Sequence, residues 1–329
     1  VGTKISPFTT CAEMVRAVPD GETLPTGELP SPITLLRPHG LPVGILVCGA
    51  SARSQSLIRR IYGGIVEAHP DIAGGDLPTV LIREGHYPPR FSVDRPNARI
   101  SISGPIVTVA QLKISTRYLT ASTALRCTSA LVPVHGTLVA FEDRALLICG
   151  SSGVGKSRLA EDLVRQGGTC IVDDWTLYDS GSGESLPESE LRTLMRGSDS
   201  PPTSPTWKII ESFEGDPRSP QSRYVRDNSD LQTARDESAR VTHLLILEEP
   251  HSPTIELKHE SHAGSLLQHL KPQFSDEALD ILRAPETGTL VERMNKFGQA
   301  VHSIRLTGHR VSPEQYRAAL ALVTRWLNT

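Results

Sequence analysis

Ala145-Leu146-Leu147-Ile148-Cys149-Gly150-Ser151-Ser152-Gly153-Val154-Gly155-Lys156-Ser157, followed by Arg158-Leu159-Ala160-Glu161-Asp162-Leu163-Val164, is the stretch on which the fold turns. Its first five residues form an apolar run of buried-strand length. The next eight complete a G-x-x-x-x-G-K-[ST] phosphate-binding loop. Leu159, Ala160, Leu163 and Val164 then share one face of a helix. Strand, glycine-rich loop and helix in that order form an anion seat. Glycines let backbone N–H groups close on phosphate oxygens, and the helix N-terminus adds partial positive charge. Gly150, Ser151, Ser152, Gly153, Val154, Gly155, Lys156 and Ser157, with Arg158 beside them, are the candidate nucleotide contacts. Lys156 is expected on the outer phosphates, and Ser157 on Mg²⁺.

Working outward, Phe141-Glu142-Asp143-Arg144 reads as a hairpin turn, and Val132–Ala140 before it as one strand. After the loop helix, Gln166-Gly167-Gly168 is a glycine stop. Thr169-Cys170-Ile171-Val172 is the next buried strand, with Asp173-Asp174 at its C-terminal tip. Acidic residues at a strand end beside a phosphate loop are where nucleotide enzymes hold Mg²⁺ or orient a nucleophile. Residues 178–240 are rich in Ser, Pro, Gly and charge, and are expected to form a mobile lid and substrate loop. Arg218, Arg223 and Arg226 lie within it as candidate clamps for phosphate or an acidic substrate. Further strands are expected at 241–247, 254–257 and 301–306. Helices are expected at 262–270, 276–282, 289–297 and 313–327, the last with Tyr316, Leu320, Val323 and Leu327 as a core face. His251, His259, His262 and His269 have no metal-ligand spacing.

Toward the N-terminus the pattern is again α/β. Residues 18–43 read as an irregular lead-in, 43–49 as a strand and 51–68 as a helix. Short strands are expected at 79–82, 98–102 and 106–109, and 120–131 is mixed. Leu46–Ser56 parallels the later loop in outline, with Gln55 where the lysine would stand and two glycines missing. We weigh a decayed repeat against an ordinary strand-to-helix turn, favour the latter, and assign no chemistry there.

With 329 residues, net charge −3, 38% hydrophobic and 22% charged content, the composition offers no basic excess for nucleic acid. No apolar run is long enough to span a membrane, and Val1-Gly2-Thr3-Lys4 does not open a signal core. Five scattered cysteines fit reduced thiols. The expected location is cytoplasmic. Homo-oligomerisation stays open.

The run Val134-His135-Gly136, the loop Gly150–Ser157, the Arg165-Gln166-Gly167 helix end and Asp173-Asp174 resemble the catalytic domain of HPr kinase/phosphorylase. That bacterial enzyme phosphorylates a serine of a phosphocarrier protein. The 17 positions from Lys156 to Asp173 match its spacing. The resemblance covers 134–174, extends in outline to the C-terminus and does not visibly reach 1–115. It implies a P-loop kinase domain of the HPr kinase/PEP carboxykinase type at 116–329; with the strand and helix pattern of 1–115 read as a separate accessory α/β module, the expected fold class is α/β. It also implies ATP and Mg²⁺, with Asp173 as the base for the acceptor hydroxyl, Asp174 and Ser157 toward the metal, and His135 near the active centre. Two features depart from the family. Arg158 stands where the family has Glu. Only Glu211–Arg223 occupies the region of its later glycine-rich signature. The carrier-protein substrate and phosphorylase activity are therefore not implied, and the expected acceptor is a hydroxyl on a small metabolite, an amino acid, or a Ser/Thr of a peptide or protein. PEP carboxykinases share the loop and the Asp-Asp, but a matching Mn²⁺ and oxaloacetate ligand set is not visible.

Two competing classes remain. Leu244–Pro250 looks like the strand end of a transporter-type or mechanical ATPase, with Glu248 where Asp is expected. A nucleotide-binding regulator without phosphoryl transfer is the third reading.

Overall fold

The computed structural model describes residues 30–38, 41, 44–62, 66–68, 77–87, 90–94, 98–127, 130–151, 154–173, 175–186, 193–195, 207–211, 223–226, 237–248, 254–259, 286–309 and 312–328. The architecture is α/β. The chain divides into two units: Val1–Cys127 with Ser189–Arg226 and Asp276–Asp280, and Thr128–Glu188 with Asp227–Ser275 and Ile281–Thr329.

The first unit is built on a sheet of β1 (Ile33–Leu36), β2 (Ile45–Cys48), β3 (Val66–Ala68), β4 (Thr79–Glu84), β5 (Arg90–Asp94) and β6 (Arg99–Gly104), in the order β3-β1-β2-β4-β6-β5. Strands β2, β4 and β6 are parallel, while β1, β3 and β5 pair antiparallel with their neighbours. Helix α1 (Ala52–Tyr62) follows β2, and α2 (Val109–Cys127) follows β6. Their apolar residues, Leu57, Ile58, Ile61, Leu112 and Leu119, pack with Val47, Val80 and Ile100 of the sheet in one core.

The second unit repeats this plan. Its main sheet holds β8 (Thr137–Ala140), β9 (Ala145–Gly150), β10 (Thr169–Val172), β15 (His243–Leu247), β16 (Glu256–His259) and β17 (His302–Thr307), in the order β10-β8-β9-β15-β17-β16. Strands β9, β15 and β17 are parallel, and β8, β10 and β16 are antiparallel to their neighbours. Helix α3 (Lys156–Arg165) follows β9, and α5 (Pro313–Leu327) follows β17. Strand for strand, order, direction and helix placement are those of the first unit. A side sheet pairs β7 (Leu131–His135) with β11 (Trp175–Asp179). Helix α4 (Glu286–Ala300) braces it, with Arg293 donating to the Leu131 carbonyl at 3.1 Å and Phe297 5.7 Å from the Tyr178 ring. Strands β12 (Thr193–Met195), β13 (Trp207–Glu211) and β14 (Arg223–Arg226), in a segment that belongs to the first unit, form a three-stranded sheet.

The correspondence extends to residues. Gly49 directly follows β2 and Gly150 is the last residue of β9, both at positive φ. A Cβ on Gly49 would meet the Ile82 carbonyl of β4 at 2.5 Å, and one on Gly150 the Leu247 carbonyl of β15, also at 2.5 Å. Helix α1 buries Ser54, Leu57, Ile58 and Ile61, while α3 buries Lys156, Leu159, Ala160 and Leu163 with the same spacing. Gln111 N–H donates to the Thr108 hydroxyl at 3.2 Å to cap α2, as Gln315 N–H does to Ser312 at 3.2 Å to cap α5. Leu46–Ser56 is therefore a strand-to-helix turn that is also the topological counterpart of the later loop. Burial puts Ser54, rather than Gln55, in the place of Lys156.

Several elements differ from expectation. The 18–43 lead-in contains β1. The helix expected to 68 ends at Tyr62, where Gly63-Gly64 follow, and Val66–Ala68 pairs with β1. Residues 106–109 are not a strand; a loop there enters α2, which also absorbs the mixed 120–127 region. That helix is rich in Ser and Thr. Ser115 and Thr116 turn their hydroxyls back onto the carbonyls of Gln111 (2.7 Å) and Leu112 (2.9 Å), so polar side chains can be buried. The single strand expected over 132–140 is two, split at Gly136. There a Cβ would meet the Ile148 carbonyl and Leu147 Cδ1 at 2.9 Å. The helices expected at 262–270 and 276–282 lie outside the described residues.

Candidate nucleotide site

Strands β9, β15 and β17 end at one edge of the second sheet. Strand β10 ends there too, because it and β9 are both antiparallel to β8. This edge therefore collects the Gly150–Ser157 loop, Asp173, Glu248 after β15 and Gly308-His309 after β17.

Gly150 has φ 148° and Gly155, the residue capping α3, φ 106°, a left-handed conformation suited to glycine. Since Gly155 makes no side-chain cap, the first-turn amides of α3 face the loop. Lys156 is only 7% exposed. Its ammonium donates to the Gly150 carbonyl at 2.7 Å and the Ser151 carbonyl at 3.2 Å, inside the ring of loop backbone. Cys149, next to Gly150 in β9, is fully buried. Burial pushes its thiol up to about 12, against the opposing pull of Lys156, so it is an inert core group. Ser157 is half-buried on the first turn of α3.

Asp173 is buried, and its carbonyl accepts a hydrogen bond from the Thr137 hydroxyl at 3.1 Å. Two chain crossings meet here. One passes from β7 to β8 through Gly136, the other from β10 to β11 through Asp173. His135 is half-buried at the end of β7 and faces Trp175 in register. His135 and Asp173 thus flank a single junction.

Arg158 turns along α3. Its guanidinium lies 4.4 Å from the Tyr316 ring centroid, and the Tyr316 hydroxyl donates to Asp162 at 2.6 Å. That engagement with α5 gives Arg158 a packing role which its position after the loop did not suggest. Arg223 and Arg226 bound β14, in the segment grouped with the first unit, whereas the loop belongs to the second. Ser152, Gly153, Asp174 and Arg218 lie outside the described residues, as do His251, His262 and His269. Glu248 is engaged by Arg305 at 3.2 Å.

One residue at this edge was absent from the sequence reading. His309 is 3% exposed, and its Nε2 lies 3.0 Å from the Val154 carbonyl of the loop. It carries no motif and stands 155 residues from its partner, so pairing of β15 with β9 and β17 is what delivers it.

No family model matches the chain. Among curated proteins, the HPr kinase/phosphorylase of Halalkalibacterium halodurans is 36% identical over 101 residues, covering 30% of this chain and 31% of that protein. The HPr kinase/phosphorylases of Bordetella parapertussis and Bordetella bronchiseptica are each 27% identical over 162 residues, covering 48% of this chain and 49% of theirs. The chain is HPr kinase-like, and divergent. The matches span less than half the length of each of these relatives. Among the described residues, no helix is long and apolar enough to cross a membrane, and no three His, Cys, Asp or Glu side chains are grouped to hold a metal.

Proposed function

We propose that the chain is an ATP-dependent kinase that transfers a phosphoryl group to a hydroxyl, with its nucleotide seat on the Gly150–Ser157 loop. The observation that carries this reading is a lysine nearly sealed inside a glycine-bounded loop, at the sheet edge where Asp173 is also buried. The cradle suits an anion. Gly150 leaves room where a Cβ would strike the Leu247 carbonyl, and the α3 amides and the Lys156 ammonium supply donors. In this mechanism the loop amides and Lys156 hold the outer phosphates and offset charge that grows in transfer. Ser157, with Asp174, would hold Mg²⁺, which screens the phosphate charge. Asp173, its backbone pinned by Thr137, accepts the proton from the acceptor hydroxyl as the new O–P bond forms and the bond from the γ-phosphorus to the β–γ bridging oxygen breaks, releasing ADP. His135 borders the acceptor side of the junction. The similarity to HPr kinase/phosphorylases favours a hydroxyl in a protein or peptide as acceptor, and the 178–240 stretch, with Arg218, Arg223 and Arg226, is the segment assigned to recognising it.

Incubating the protein with Mg·ATP and a pool of hydroxyl amino acids, metabolites and Ser/Thr peptides tests this by mass spectrometry. A phosphorylated acceptor that vanishes with Lys156→Ala is the expected result. Free phosphate alone would instead make the protein an ATPase.

A further inference from the structure

Resting on the nucleotide seat proposed above, we infer that His309 is a positioning residue for the loop: its imidazole holds the Val154–Gly155 peptide in the orientation that turns the Gly155 N–H toward the phosphates.

The peptide plane couples the two groups. In a trans peptide the C=O of one residue and the N–H of the next point in opposite directions. Fixing the Val154 carbonyl therefore fixes the Gly155 N–H. The Val154 carbonyl is an acceptor and cannot donate, so the 3.0 Å contact requires a proton on His309 Nε2. The other side of Val154 is already committed, since its N–H donates to the Ser151 carbonyl at 3.2 Å. The Gly155 carbonyl is committed as well, accepting from Leu159 N–H at 3.0 Å in the first turn of α3. Gly155 itself, at φ 106° and ψ 15°, is in a conformation that an unrestrained glycine can readily leave. The imidazole supplies the restraint from outside the loop.

Delivery of the imidazole is built in. Gly308 has φ 72°, and a Cβ there would clash with the Thr254 carbonyl, so the chain turns tightly after β17. His309 follows, 3% exposed, and Ser312 starts α5 soon after. The first unit supplies an internal comparison. In register, Gly104 at the end of β6 corresponds to Gly308 just after β17, and Thr108 caps α2 as Ser312 caps α5. The counterpart of His309 is then Pro105, which has no side-chain donor. There the loop after the third parallel strand is tied differently: Arg53 donates to the Val107 carbonyl at 2.9 Å, and Val107 N–H donates to Glu84. The imidazole is present in the unit that has the lysine-bearing loop.

Two measurements on the full chain test this. The first is ¹⁵N NMR of the histidine rings in the wild-type protein. The His309 signal is expected to show a protonated Nε2, and a bare Nε2 would overturn the inference whether or not the protein binds nucleotide. The second is the affinity for Mg·ADP, with the melting temperature followed alongside. His309→Ala should weaken binding about tenfold, the worth of one hydrogen bond, and His309→Gln, which keeps a donor, should recover most of it. Equal affinities for wild type and His309→Ala would overturn the inference while leaving the kinase reading intact. A loss that His309→Gln fails to recover, in parallel with a lowered melting temperature, would reduce His309 to a packing residue. No binding by wild-type protein would overturn the nucleotide seat and this inference with it.

Discussion

The two six-stranded sheets have the same strand order and directions, yet their first strand-to-helix connections do opposite things with the same opportunity. Both begin at a glycine forced by a neighbouring carbonyl, and both present the N-terminus of a helix. In the first unit, Ala50 and Ser51 alone separate Gly49 from α1, and the donors are met from within. The Glu84 carboxylate accepts from Ser51 N–H at 3.3 Å, the Ser54 hydroxyl at 2.7 Å and Val107 N–H at 2.9 Å, while the Ser51 hydroxyl accepts from Ser54 N–H at 3.2 Å. In the second unit, Ser151 to Gly155 lengthen the connection. The buried serine becomes Lys156, and no side chain caps α3. A fold can thus satisfy a helix N-terminus with its own carboxylate or leave it to an external anion, and loop length with one buried side chain decides which.

The largest effect expected from breaking this contrast is that of Lys156→Ala. It should lower phosphoryl transfer by on the order of 10³-fold or more, read as acceptor phosphorylation. The matched change in the first unit, Ser54→Ala, should leave transfer unaltered. Asp173→Asn keeps the shape of the junction but removes the proton acceptor. It should lower transfer by roughly 10²–10³-fold with nucleotide affinity retained, and full activity in that variant would remove Asp173 from the mechanism.

Gly49→Ala probes what the two connections share. The clash with the Ile82 carbonyl should cost about 1–3 kcal/mol of stability, measured by denaturant unfolding, without changing nucleotide affinity. Glu84→Gln should cost about 1–2 kcal/mol. Burial alone would raise the Glu84 carboxyl, but the hydrogen bonds from Ser51, Val107 and Ser54 outweigh it and hold the group below its ordinary value of 4.5. A depressed carboxylate contributes stability above its unfolded value and loses it as pH falls through the folded one. Wild-type stability should therefore decline below about pH 4.5, and Glu84→Gln should flatten that decline. The smallest effect is that of Arg158→Ala. Losing the stacking on Tyr316 should cost about 0.5 kcal/mol and leave nucleotide affinity unchanged. A marked drop in affinity would return Arg158 to the nucleotide.

What the sequence disclosed follows the strength of its local signals. The 145–164 stretch, with an apolar run, fixed glycines and a one-sided helix, could be read directly, and so could α5 and the parallel strands β4, β15 and β17. Elements whose burial is set by partners far along the chain could not. Helix α2 hides its Ser and Thr through bonds to its own carbonyls and gives no stripe. Gly136 divides an even apolar run only because the Ile148 carbonyl and Leu147 crowd it. Glu84 and His309 look like ordinary charged and polar residues, and only strand pairing brings them to Ser51 and Val154. The likeness of Leu46–Ser56 to the Gly150–Ser157 loop was visible as a pattern. Its meaning came from strand order, which a short motif cannot supply.

The most direct test of the account is calorimetric titration of the full chain with Mg²⁺ and a non-hydrolysable ATP analogue, beside the same titration of Lys156→Ala. The account predicts one nucleotide per wild-type chain and none for the variant. Two nucleotides per chain, or one that survives Lys156→Ala, would contradict it.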